Sequence, residues 1–239
     1  MSENTRSVVF AALLSLVCCV LITAACTGLQ KFQQANMELD RQITIIRSVG
    51  LVDETKEYSP DEINRLYHDR IRTAWTTGAG DLLFDEPRGD KTALPLYLCN
   101  DGEKLFAYII PLNSRGLWGR IYGYLALKND GETIQGFSVA RHGETPGLGG
   151  EIESAWFRAQ FRGKKIVDSK HEFVSVSIAK GQAEGRVSPK DLPHVVDGIS
   201  GATLTGNYLS DGLKKTLEQF EPLSKRFRQK GSDPIRFKE

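Results

Sequence analysis

The sequence predicts an α+β domain, an antiparallel sheet with packed helices, preceded by one N-terminal membrane helix. Three observations carry that expectation. Residues 8–29 form an apolar run without charge, two Asn-Asp-Gly turns each sit between runs of strand-forming residues, and helical patterns follow the strands instead of alternating with them.

The run at 8–29 reads VVFAALLSLVCCVLITAACTGL. At ~1.5 Å per residue it is long enough for a hydrocarbon core of ~30 Å. The segment before it carries only Glu3 and Arg6, unlike the positive start of a secretory signal peptide. LITAAC, ending at Cys26, resembles a lipoprotein processing site, but Thr23 stands where Leu is usual. The expectation is an uncleaved single-pass helix at 8–29 behind a short segment 1–7. Arg6 on one flank and Lys31 and Arg41 on the other leave its orientation open. Residues 31–46 lack Gly and Pro, so the helix should continue as a stalk.

Ser59-Pro60-Asp61-Glu62 combines a cap, Pro at the first helical position and Glu placed for a capping box. The helix it starts is expected to run through Leu66, Ile71 and Trp75. Gly, Asp and Pro at 78–92 read as a loop. Residues 95–98 and 104–112 flank Asn100-Asp101-Gly102, and 119–128 and 133–140 flank Asn129-Asp130-Gly131. Both are hairpin signals, and four strands in succession predict the antiparallel sheet. Trp156, Ala159 and Gln160 place a short helix at 151–161, and FVSVSIA at 173–179 alternates as a half-exposed strand does. A terminal helix is expected over 204–220. The basic, polar stretch 225–239 reads as a disordered tail. The expected division is therefore a segment at 30–93 with stalk, helix and loop, a folded domain at 94–224, and the tail.

Composition excludes some functions. With 239 residues, 26% of them charged and a formal net charge of +1, the chain has no basic field to attract nucleic acid. Cys18, Cys19 and Cys26 lie in the apolar run, which leaves Cys99 alone in the soluble part. That pattern gives neither a disulfide framework nor a metal site. No Ser-His-Asp arrangement, paired-carboxylate signature or GxGxxG points to bond-making catalysis.

The informative segment is Asp197-Gly198-Ile199-Ser200-Gly201-Ala202-Thr203-Leu204-Thr205. It enters a helix through small residues, so Ser200, Gly201 and Ala202 let a bulky group approach the backbone. Thr203 or Thr205 would present a hydroxyl at a helix N-terminus, where free N–H groups favour a phosphate. A simple Ser/Thr helix cap reads the same residues equally well. Two further segments stand out. His142-Gly143-Glu144-Thr145-Pro146-Gly147-Leu148-Gly149-Gly150 contains a turn that would bring Gly147 and Leu148 close to a planar ligand, with Glu144 and Thr145 able to bond its polar edge. Arg115-Gly116-Leu117-Trp118-Gly119 offers Trp118 as a stacking surface or as core.

Asp-x-x-Ser-Gly-Ala-Thr at 197–203 resembles the flavinylation motif of the FMN-binding domain family, in which a flavin transferase moves FMN from FAD onto the Thr. The resemblance implies covalent FMN at Thr203, with Thr205 as the rival position and Asp197 either read by the transferase or orienting the loop. The ETPGLG and Leu117-Trp118-Gly119 segments are similar to those of C subunits of sodium-translocating NADH:quinone oxidoreductases, and the G subunits of Rnf complexes are the related alternative. That family implies an electron relay in a bacterial inner-membrane complex, a flavin domain on the periplasmic side, and membrane and peripheral subunits as partners. NADH, ubiquinone and sodium would then be handled by the assembly. His142 and His194 would titrate near the flavin, and Lys164 and Lys165 would favour its reduced, anionic form, or be ordinary surface groups. A membrane-tethered, non-redox phosphate- or ligand-binding module is the alternative of another class.

Overall fold

The computed structural model describes residues 2–53, 55–89 and 92–230. The chain divides into two units, one up to Asp40 and one from Arg41 onward. Most of the first is helix α1, Glu3–Ser48. It is long and apolar enough to cross a membrane. Val8, Phe10, Leu13, Leu16, Leu21 and Ile22 are all exposed along it, as side chains meant for lipid would be. The helix continues unbroken beyond the apolar run, and its last turns, from Arg41, belong to the second unit.

The second unit is built on a six-stranded antiparallel sheet of order β2-β1-β3-β4-β5-β6. The strands are β1 Ile71–Thr76, β2 Leu82–Leu83, β3 Leu94–Asp101, β4 Lys104–Arg115, β5 Arg120–Lys128 and β6 Ile134–Arg141. Both expected hairpins form. At the first, Asp101 pairs with Lys104 and Gly102 takes φ +61°, the left-handed conformation a two-residue hairpin loop needs. At the second, Asp130 accepts the N–H groups of Glu132 and Thr133 at 2.9 and 2.8 Å and closes the turn locally.

The α+β class with an antiparallel sheet is as expected, but three elements differ from the sequence reading. Helix α2, Pro60–Arg70, has the expected capping box and then stops. Ile71 and Trp75, expected in that helix, lie in β1 and pair with Cys99 and Pro95. Thr, Trp and Ile suit a strand, and a long-range partner overrides a short helical period. The folded unit thus takes in residues placed before 94 by composition. The strand expected at 173–179 shrinks to β7, Ser177–Ile178, paired in parallel with β8, Val195–Val196. Ser175 has φ +71°, which breaks the extended run. Helix α4, Thr203–Lys230, passes the expected end at 220 and includes 225–230. Leu223 and Phe227 are buried there, and Phe227 stacks on Tyr108 at 4.8 Å. The stretch 231–239 expected to be a tail lies outside the described residues.

Both faces of the sheet are covered. One carries the main core, where Tyr108, Ile110, Leu112 and Leu125 meet Leu209, Leu213, Leu217 and Phe220 of α4. The spacing of four and three residues along α4 is the buried stripe of an amphipathic helix. Phe157 of α3, Ala155–Ala159, joins the same core. The end of α1 lies against the sheet elsewhere: Ser138 donates to the Thr44 carbonyl at 2.8 Å and Gln135 to that of Val49 at 3.1 Å. Ile45 and Ile46 are fully buried.

Candidate functional site

The site forms where α4 begins. The chain reaches it through a loop that only small residues permit. A Cβ on Gly198 would lie 2.0 Å from the Ala179 carbonyl oxygen, and Gly201 takes φ +74° with Leu148 Cδ2 2.8 Å from where its Cβ would be. Asp197 fixes the start of this loop. Its Oδ1 accepts the Ala183 N–H at 2.8 Å, and its own N–H donates to Gln160 Oε1 at 2.7 Å. The carboxylate thus ties the loop to the backbone at Ala183. Burial lowers the Lys164 ammonium below the usual lysine value, partly offset by the Asp197 charge. Its Nζ donates to the Leu192 carbonyl at 2.8 Å, and Lys165 reaches Glu132 at 3.4 Å.

The two threonines differ sharply. Thr203, the first residue of α4, is exposed, whereas Thr205 is 1% exposed. Thr205 Oγ1 donates to Glu144 Oε2 at 2.5 Å. Ala202 is buried and Ser200 is exposed beside it. First-turn N–H groups of a helix have no intrahelical acceptor, so the Thr203 hydroxyl stands next to free donors at an accessible helix start.

Glu144, read from the sequence as able to bond a ligand's polar edge, is bonded within the protein. It is 5% exposed, and both carboxylate oxygens are engaged within the protein. Oε2 takes the Thr205 hydroxyl and Oε1 the Trp118 N–H at 3.0 Å. Two glycines press on it: a Cβ on Gly116 would be 2.5 Å from Oε1, and one on Gly149 2.7 Å from Oε2. Its N–H donates to His142 Nδ1 at 3.0 Å, and His142 Nε2 faces Glu153 at 3.2 Å. His142 thus serves the loop's internal bonding. The three segments singled out in the sequence meet on this carboxylate. Its partners lie 26 and 61 residues away in sequence, so no local pattern could have revealed it.

Several other residues of those segments are exposed. The Thr145 carbonyl accepts the N–H groups of Leu148 and Gly150 at 3.2 and 2.9 Å, closing a turn in which Gly147 has φ +75°. Trp118 is 71% exposed, at the tip of the β4–β5 turn that Gly116 N–H closes on the Gly119 carbonyl at 2.7 Å. Leu117, Leu148 and Leu204 are also exposed. The sequence reading gave Leu117, Leu204 and Arg115 no role of their own; the Arg115 guanidinium lies 4.7 Å over the Tyr208 ring. A cleft of about 400 Å³ opens beside Pro146 and Gly147, but Thr203 does not line it. Exposed apolar side chains, a glycine-lined approach and an accessible hydroxyl at a helix start fit a phosphate-bearing planar cofactor carried on the surface.

Residues 116–218 match the FMN-binding domain family. The C subunit of the Na(+)-translocating NADH-quinone reductase of Vibrio campbellii is 34% identical, over 81% of this chain and 83% of that protein. Its counterpart from Yersinia pestis is 30% identical, over 94% of this chain and 93% of its own length. The crystal structure of the C subunit from Parabacteroides distasonis superposes with a TM-score of 0.68 at 29% identity, covering 82% of this chain and 96% of that one. With an antiparallel sheet, an apolar N-terminal helix and relatives that share most of its length, the chain belongs to the family of C subunits of the Na(+)-translocating NADH-quinone reductase, and it contains their FMN-binding domain.

Proposed function

We propose that this chain is the membrane-anchored electron carrier of a Na+-translocating NADH:ubiquinone reductase, and that it holds FMN through a phosphoester on Thr203. The observation that carries the reading is the contrast between the two hydroxyls. Thr203 is exposed at the start of α4, whereas Thr205 is buried with its proton committed to Glu144. A flavin transferase would bring FAD to this loop. The Thr203 oxygen loses its proton and bonds to the FMN phosphorus, and AMP leaves.

Bound flavin supplies the electron chemistry, which no side chain of the chain provides. The protein's own residues position it. Asp197 and Gln160 hold the acceptor loop, and Gly201 keeps the approach open. Leu148 and Trp118 are exposed and would offer apolar surface to the ring, and first-turn N–H groups of α4 would be available to its phosphate. Covalent attachment suits such an open position, because a surface-borne flavin held only by contacts would dissociate. Helix α1 would anchor the domain on the periplasmic side of the inner membrane, where other members of the complex exchange electrons with it.

Co-expression of the full chain with a flavin transferase tests the proposal. After denaturing electrophoresis the band is expected to fluoresce as flavin, and to lose that fluorescence when the transferase is omitted. A colourless band with active transferase present would leave a non-redox binding module as the better reading.

A further inference from the structure

We infer that Glu144 is a positioning residue whose buried carboxylate locks the acceptor segment in place and lowers the midpoint potential of the flavin carried on Thr203. The inference rests on Thr203 as the attachment site and extends it to a residue that would touch no part of the flavin. Glu144 joins three separate pieces of chain: its own loop, the β4–β5 turn through Trp118 N–H at 3.0 Å, and the first turn of α4 through Thr205 at 2.5 Å. Gly116 and Gly149 confine it on two sides. Removal of the side chain would leave the Thr205 hydroxyl and the Trp118 amide without their acceptor, and unmade buried bonds are costly.

The charge has a separate consequence. Helix α4 has no acidic residue in its own first turn, and Glu144 supplies one from another loop, where the helix N-terminus favours it. Among the described residues no ion pair neutralises this carboxylate. Electrons delivered to a flavin on Thr203 would add negative charge to a group tethered two residues from Thr205, the hydroxyl bonded to Glu144. A fixed negative charge bonded into the acceptor segment disfavours the reduced form.

Glu144→Gln and Glu144→Ala separate shape from charge, in the full chain co-expressed with flavin transferase. Glu144→Gln keeps the volume and can still accept from Trp118 N–H while its amide donates to Thr205. It is expected to keep the adduct on Thr203 at near wild-type yield and to shift the flavin midpoint potential upward. Glu144→Ala is expected to lower the adduct yield at least severalfold. In chains made without transferase, amide exchange at Trp118 is expected to accelerate in the alanine variant and much less in the glutamine variant, a readout that needs no flavin. An unchanged potential in Glu144→Gln overturns the charge role, and undiminished yield and exchange in Glu144→Ala overturn the positioning role. Absence of any adduct on the unaltered chain would instead count against Thr203 as the carrier. The glutamine variant, nearly the same in shape, keeps the test open if the alanine variant does not fold.

Discussion

Thr203 and Thr205 carry the same hydroxyl two positions apart, and burial gives them different work. The exposed one stands at an accessible helix start. The buried one completes a bond to Glu144. Crowding around that bond makes Gly149 a sensitive position. A Cβ there would sit 2.6 Å from Thr205 Oγ1 and 2.7 Å from Glu144 Oε2, so both polar partners must move. Gly149→Ala is expected to destabilise the domain by about 1–3 kcal/mol, measured as a shift in the denaturant midpoint with unchanged slope. An unshifted midpoint would mean that the loop yields freely. The Asp197–Thr203 motif was legible in the sequence because all its parts are neighbours in the chain. The bonds of Glu144 to Trp118 and Thr205 were not legible, since both partners lie in other segments. Trp118 is exposed because its turn, closed by Gly116 and Gly119, projects beyond the sheet.

At the level of elements, local chemistry predicted what local chemistry determines. The capping box of α2 is present, with Ser59 N–H to Glu62 Oε2 at 2.8 Å and Glu62 N–H to Ser59 Oγ at 3.3 Å. The backbone bond from Ser59, and then its hydroxyl, hold the Glu62 carboxyl below the usual glutamate range. A carboxyl lowered by folding stabilises the fold above its unfolded value, and that contribution is lost as pH falls through its folded value. Ser59→Ala is expected to cost about 1 kcal/mol at neutral pH, with the deficit relative to the parent chain narrowing as Glu62 protonates. Thermal melts of both chains at neutral and acidic pH measure this, and a pH-independent deficit would assign the cap to Ser59 alone. The two hairpins were legible for the same local reason. Strand β1 was not, because its pairing with β3 bridges a loop that contains β2. The end of α4 was missed because Lys225, Arg226 and Arg228 mask a buried stripe at Leu223 and Phe227.

At the scale of the whole molecule, coverage of both sheet faces explains why the folded unit starts earlier than composition suggested. Cys99 on β3 is fully buried, and burial pushes its thiol up to about 11. The folded chain is therefore expected to resist alkylation at Cys99 at neutral pH and to react there only with unfolding, since the thiolate is the reactive form. Peptide mapping after a pulse of iodoacetamide reads this, and prompt labelling in the native state would contradict the packing described. The family was legible from three short segments, and its shared fold accounts for their meeting at one site. Flavin carried on one particular hydroxyl, that of Thr203, can be detected directly. The most direct test is tandem mass spectrometry of the tryptic peptide 191–214, which contains both Thr203 and Thr205, from chains co-expressed with flavin transferase. The account predicts FMN-bearing fragments that place the adduct on Thr203, its loss in Thr203→Val and its retention in Thr205→Val. An adduct localised to Thr205, or one that survives Thr203→Val, would contradict it.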